Sequence, residues 1–305
     1  MKAVICMRYG PPDVLQLADV PSPTPRKRQL LVRVHATAVT ASDCIMRGFR
    51  PGFWPPARVL GGLAMGFSRP RFPILGGVFA GEVVGVGRKV KRFAEGDQIF
   101  GWTSFPRLGA YAEYCTVSEK ARIAHKPVNA SYDEAAALPY GALITLHFLR
   151  KAHIERGQNV LIYGASGANG TAAVQLAKYF GATVTGVCST ANMDLVRSLG
   201  ADAVIDYTAE DFTKGSARYD LVLNAVGRKK ARLECEGVLT PNGKHITVDD
   251  GLPRPRAEDM LFIKELFQTG RFRAVIDRTY PLERIVEAHA YVDQGHKKGN
   301  VVIEI

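Results

Sequence analysis

The stretch Asn159-Val160-Leu161-Ile162-Tyr163-Gly164-Ala165-Ser166-Gly167-Ala168-Asn169-Gly170, continuing into Thr171 to Phe180, decides the fold. Its apolar start reads as a buried strand, the glycines at 164, 167 and 170 as a tight turn, and the residues after them as a helix. Such a turn presents backbone N–H groups and a helix N-terminus to a pyrophosphate. Gly167 permits the close approach of that group, and Gly170 lets the helix lie against the strand.

Working outward, Thr183–Cys188, Ala203–Asp206, Leu221–Ala225 and His245–Val248 are further apolar runs separated by helical stretches. Strands alternating with helices imply a doubly wound parallel sheet, an α/β architecture. The run Thr183–Cys188 ends in Ser189-Thr190, roughly 20 residues past the glycine turn, where an NAD enzyme places a carboxylate against the ribose 2′-hydroxyl. Two hydroxyls stand there instead, and they suit a 2′-phosphate that a carboxylate would repel. NADPH is therefore the expected cofactor. The same pair also suits the cap of a helix over Asn192–Leu199.

Upstream, Asp133–Leu138 and Gly141–Lys151 read as helices, and residues 1–120 carry short apolar runs broken by Gly and Pro. Met1–Cys6, Gln29–Ala38, Gly81–Val90, Asp97–Trp102 and Ala110–Val117 predict an antiparallel, barrel-like region. Between them Arg47 to Arg71 has neither period and suggests a flap over a cleft. Downstream of the breaker-rich Asp249–Pro255 come helices over Glu258–Gln268 and Leu282–Asp293 and a last strand over Val301–Ile305.

A chain of 305 residues exceeds the roughly 250–300 that one core sustains, so two lobes are expected. With 47% hydrophobic and 23% charged residues it has the apolar area to fold and no disordered signature. No run approaches the ~18 apolar residues of a membrane span, and Met1–Arg8 is too short in its apolar part for a secretion signal, which makes the cytoplasm the expected compartment. The five cysteines are far apart and lack a C-x-x-C pair, so they read as buried thiols. The net charge of +11 is dispersed, with short clusters only at Arg26–Arg28 and Arg228–Lys230, and nucleic acid is not an expected partner.

Several passages together carry a resemblance: Arg47-Gly48, Pro73–Gly76 with Phe79–Val83, Gly109–Tyr114, Gly164–Gly170 and Gly295–Ile303. In these the chain resembles the medium-chain dehydrogenase/reductase superfamily, in particular its zinc-free quinone oxidoreductase branch. The resemblance implies a GroES-like β-rich catalytic domain over residues 1–120, completed by 256–305, a Rossmann domain over 121–255, and a substrate cleft at their junction. It implies cofactor contacts from Ala165, Ser166, Gly167, Ala168, Asn169 and Gly170 at the pyrophosphate, and from Ser189, Thr190 and Tyr207 near the 2′-phosphate. Asn224, Ala225, Val226 and Gly227 fall at the ribose, and Lys298 and Asn300 at the phosphate or nicotinamide end. Catalytic candidates by position are the hydroxyls of Thr40, Ser42 and Tyr140.

The zinc-dependent relatives hold their ion where this chain has Thr40, Gly77 and Val78, none of which can ligate as thiolate, imidazole or carboxylate. Reduction without a Lewis acid requires an acceptor that is already electrophilic, a quinone or an α,β-unsaturated carbonyl. Other departures bear on the site. Ala191 stands where relatives often place a cation, and Ile144 stands where they commonly carry a Thr, with Thr145 one place later. A homodimer is the assembly the resemblance offers, although the strand and helix through which subunits often pair are missing. Two other functions compete: an NADPH-holding structural or RNA-associating relative with vestigial catalysis, and an alcohol dehydrogenase or enoyl reductase on the same scaffold. Metal independence is checked directly: chelator-treated protein should retain full activity, whereas a stoichiometric zinc whose removal abolishes turnover would contradict the reading.

Overall fold

The computed structural model describes residues 1–49, 62–63, 65–103, 107–227, 235 and 237–305. The Arg47–Arg71 flap therefore lies largely outside the described residues, as does the Arg228–Lys230 cluster. The described residues form two compact units, 1–139 with 276–305, and 140–275.

In the first unit, β1 (Lys2–Cys6) and β2 (Leu15–Asp19) form an antiparallel ribbon. The strands β3 (Gln29–Val39), β4 (Val78–Val86), β5 (Gln98–Trp102), β6 (Tyr114–Ser118), β7 (Arg122–His125), β13 (Ile276–Pro281) and β14 (Asn300–Glu304) form a seven-stranded sheet. Its order is β13-β14-β3-β4-β5-β7, with β6 also on β3. Val301–Ile303 of β14 are completely buried and pair antiparallel with Thr37–Val39 of β3, which ties the C-terminus of the chain to this unit. The sequence reading missed β2, β7 and β13, whose polar, half-exposed residues carry little apolar signal.

Within the second unit, β8 (Asn159–Tyr163), β9 (Thr183–Cys188), β10 (Ala203–Asp206), β11 (Tyr219–Asn224) and β12 (Leu239–Thr247) form an all-parallel sheet of order β10-β9-β8-β11-β12. The chain winds outward from β8 and then returns to its other side, so the winding reverses between β8 and β11. Ligands bind outside the C-terminal strand ends at such a reversal. The boundaries differ from the sequence expectation at both ends of this unit. Residues 121–139 belong to the first unit, because β7 pairs with β5 and the helix Tyr132–Ala137 lies on β3, β4 and β14. Helix Ala257–Gln268 belongs to the second, where Asp259 pairs with Arg150 and Phe262 lies 5.4 Å from Tyr179 and 6.5 Å from Phe180. No helix among the described residues is long and apolar enough to cross a membrane.

Helix α1 (Ala41–Gly48) is fixed in the first unit at both ends. At its start Thr40 and Asp43 form a capping box, in which Thr40 Oγ1 donates to Asp43 Oδ2 at 2.6 Å and accepts from the Asp43 amide at 3.2 Å. At its end Arg47 donates to Gly10 O at 3.2 Å, pairs with Asp293 at 2.5 Å and donates to His289 Nδ1 at 2.9 Å. His289 Nε2 in turn lies 3.1 Å from the Tyr111 hydroxyl. A guanidinium only donates, so His289 Nδ1 accepts and the imidazole is neutral. Burial first, and then the Arg47 charge, pull the His289 pKa down to about 3.

An unfolded histidine titrates near 6.5, so between that value and about 3 the unfolded chain binds a proton that the folded chain refuses. This stability is fully present above pH 6.5 and declines as pH falls toward about 3, by up to ~1.4 kcal/mol per pH unit. The denaturation midpoint should therefore drop as pH is lowered from 6.5, and His289→Gln, which hydrogen-bonds without titrating, should flatten that drop. A variant whose midpoint falls in parallel with wild type would refute the assignment.

A candidate dinucleotide site and a separate hydroxyl cluster

The turn after β8 is shaped by backbone crowding. Gly164 has φ +77°, and a Cβ there would stand 2.3 Å from Val226 Cγ2, in the turn after β11. A Cβ on Gly170 would stand 2.0 Å from Gly164 O, so only glycine lets helix α4 (Ala168–Tyr179) start this close to the strand. Gly167 differs from both. Its φ of −78° suits any residue, and among the described residues the only atom a Cβ would meet within 4 Å is Gly164 O at 3.8 Å. Nothing among the described residues demands glycine there, and the backbone is left open to a ligand's approach.

Helix α3 (Pro139–Ala152) closes on the same turn from the other side. A Cβ on Gly141 would lie 2.3 Å from Ala168 O, and Thr145 Oγ1 donates to Asn169 O at 3.0 Å. Tyr140, second in this helix and buried, is the residue before Gly141. Thr145 thus supports the turn itself. Asn169 Oδ1 is buried with no partner among the described residues, an acceptor at the turn that a donor on a ligand would satisfy.

Beyond the turn, the ends of β9 and β10 revise the expectation of a strand end without a carboxylate. Parallel pairing sets Cys188 opposite Asp206, and Thr190 Oγ1 donates to Asp206 Oδ2 at 2.5 Å. Asp206 also accepts from the Thr208 amide at 2.9 Å and hydroxyl at 2.6 Å. Those hydrogen bonds, the Thr190 hydroxyl first, hold its carboxyl below the usual carboxylate range. Thr190 therefore spends its O–H donor on a carboxylate, and of the two expected donors only Ser189 is left to meet a phosphate. Tyr207 is half-exposed at the same edge, with its amide donating to Cys188 O at 3.1 Å. The sequence hid Asp206 because register, not spacing, brings it to Thr190.

At the end of β11 Asn224 is fully buried, and its side chain closes its own turn. It accepts from the Val226 and Gly227 amides at 2.9 and 3.1 Å and donates to Gly227 O at 3.1 Å. Asn224, Ala225, Val226 and Gly227 thus offer a ligand a shaped backbone more than a polar side chain.

The remaining candidates sit in the first unit. Ser42 is the second residue of α1 and half-buried, and Thr40 is its buried cap. Asp43, completely buried, also accepts from the Gly76 amide at 3.3 Å; burial pushes its carboxyl up, against hydrogen bonds from Thr40, Gly76 and Gly77. Gly77 precedes β4 and Val78 opens it, and among the described residues no three His, Cys, Asp or Glu side chains are grouped to hold a metal ion. Lys298 is exposed in the turn before β14, its amide donating to Asp277 at 2.9 Å, and Asn300 opens that strand and is buried.

A parallel sheet with a glycine turn at its winding reversal, in a chain that also carries a β-rich unit, defines a dinucleotide-dependent oxidoreductase, and comparison with known proteins agrees. The family model "Alcohol dehydrogenase GroES-like domain" matches residues 26–128, and "Zinc-binding dehydrogenase" matches 199–262 and 250–303. The chain is 33% identical to the 2-methylene-furan-3-one reductase of Solanum lycopersicum, over 99% of this chain and 79% of that protein. It is 30% identical to the chloroplastic NADPH-dependent alkenal/one oxidoreductase of Arabidopsis thaliana, over 99% and 79%. The structure of the quinone oxidoreductase from Coxiella burnetii superimposes with a TM-score of 0.88 at 29% identity, covering 100% of this chain and 99% of that one. The chain belongs to the medium-chain dehydrogenase/reductase superfamily, with the quinone and enone oxidoreductases among its relatives.

The two glycines separate ligand space from folding space. Gly167→Val should leave the unfolding midpoint nearly unchanged while abolishing dinucleotide binding. Gly170→Ala, forced against Gly164 O, should lower stability by about 2 kcal/mol or more. Calorimetric binding and denaturant titration check both; a Gly167→Val protein that binds the dinucleotide normally would show that the space has no role.

Proposed function

We propose that this protein is a zinc-independent, NADPH-dependent reductase of quinones and α,β-unsaturated carbonyl compounds. The observation that carries the reading is the glycine turn: its backbone keeps clear space at Gly167, where the protein's own packing does not require it. The names of the alkenal/one and quinone relatives support the substrate class.

When bound, the dinucleotide supplies a hydride from its nicotinamide ring to the electrophilic carbon or quinone. In this reading the backbone of Ala165 to Gly170 holds the pyrophosphate, Ser189 and Tyr207 meet the 2′-phosphate, and the turn Asn224–Gly227 borders the ribose. Lys298 and Asn300 are assigned contacts at the phosphate or nicotinamide end. Ser42 and Tyr140 supply hydroxyls to the oxygen that gains charge, and Thr40, its own proton held by Asp43, positions Ser42 by fixing the start of α1. Without a Lewis acid the enzyme has little leverage on simple alcohols.

The test is steady-state NADPH and NADH oxidation across quinones and alkenals. NADPH should give the lower KM, and Ser189→Asp should reverse the order by removing a donor and adding a like charge. Tyr140→Phe and Ser42→Ala should keep NADPH affinity and lower kcat/KM by about 10-fold to 1000-fold. Tight NADPH binding without turnover of any acceptor would favour the binding-protein alternative, and a wild-type preference for NADH would overturn the cofactor assignment.

A further inference from the structure

Asn192 ends the short 3-10 turn that follows β9, and 8% of its surface is exposed. Its Nδ2 lies 3.1 Å from Ser166 Oγ, in the glycine turn, and 3.1 Å from Ser189 Oγ, at the end of the neighbouring strand. One amide therefore ties together two adjacent strand ends on the side of the sheet where the adenosine half of a dinucleotide would lie. An NH2 group only donates, so both serine oxygens accept from it. Each hydroxyl keeps its proton, and neither donates it to another group among the described residues. Meanwhile Asn192 Oδ1 is buried without a partner among the described residues. The amide turned over would satisfy that oxygen by drawing both serine protons inward, at the expense of an orphaned NH2. An anion in front of the two serines selects the first orientation, because only there do both protons face it.

We propose that Asn192 is the positioning residue for 2′-phosphate selectivity: it presents the Ser166 and Ser189 hydroxyls as a pair of outward donors. It takes over part of the work that a cation next to the Ser-Thr pair would do and that Ala191 cannot. The inference rests on the NADPH reading above, and it adds the group that makes two uncharged hydroxyls selective.

Calorimetry with adenosine 2′,5′-bisphosphate and adenosine 5′-monophosphate, which differ by the 2′-phosphate, tests it on the intact chain. Wild type should bind the bisphosphate at least ~10-fold more tightly. Asn192→Leu should weaken the bisphosphate by about 10-fold and the monophosphate by less than about 2-fold, the latter also reporting that the site is folded. Asn192→Asp, of the same shape, should weaken the bisphosphate by about 100-fold, since a carboxylate draws both protons inward and repels the phosphate. In a Ser166→Ala, Ser189→Ala background, Asn192→Leu should have no further effect, as expected of a residue that acts through those hydroxyls. Equal losses for both probes, an unchanged Asn192→Asp, or additive losses in the serine-less background would each overturn the proposal. Wild-type protein that does not distinguish the probes would overturn the NADPH reading itself, and this inference with it.

Discussion

The contact between Gly170 and the carbonyl of Gly164 is the constraint on which the nucleotide-binding unit turns. No side chain of any size fits a gap in which a Cβ would stand 2.0 Å from a backbone oxygen. Because that gap is closed, helix α4 starts directly over the end of β8, and helix α3 can press Gly141 against Ala168. The N-terminus of a well-anchored helix and the turn before it then become a fixed receptor for negative charge. Gly167, by contrast, is dispensable to the packing and available to a ligand. The three glycines of one motif thus differ: two are required by the packing, and the packing of the described residues leaves the third free.

The β-rich unit solves a similar problem with polar side chains. The start of α1 is held by the Thr40–Asp43 box and its end by Arg47, whose guanidinium reaches Gly10, His289 and Asp293. Burying Arg47, Asp43 and His289 is costly unless each finds partners, and the arrangement is satisfied only with all of them present. The result is a rigid base for Ser42, the residue just before Asp43. It also removes Thr40 from the set of hydroxyls with a free donor, since its O–H already donates to Asp43 Oδ2.

Both halves share one theme, the difference between a donor that is present and a donor that is available. Thr190 looks like a phosphate ligand but is committed to Asp206, whereas Ser166 and Ser189 receive their hydrogen bonds from Asn192 and keep their protons. Asn224 looks like a ribose ligand, yet its side chain closes its own turn. A census of polar residues near a strand end cannot register this direction of hydrogen bonding, although it decides which groups meet a ligand.

The sequence by itself determined the fold class, the alternation of strands with helices in the second unit and the position of the glycine turn. These are local: apolar runs, helix periods and glycine spacing need no distant partner to be read. Only the tertiary structure decided that β14 closes on β3, that Ala257–Gln268 joins the second unit, and that Asp206 stands beside Thr190. It also revealed Asn192 between two serines 26 and 3 residues away. The reason is physical. Strand register and side-chain hydrogen bonding are settled by residues that meet across the sheet, and no spacing along the chain encodes which of two neighbouring oxygens receives a proton and which gives one.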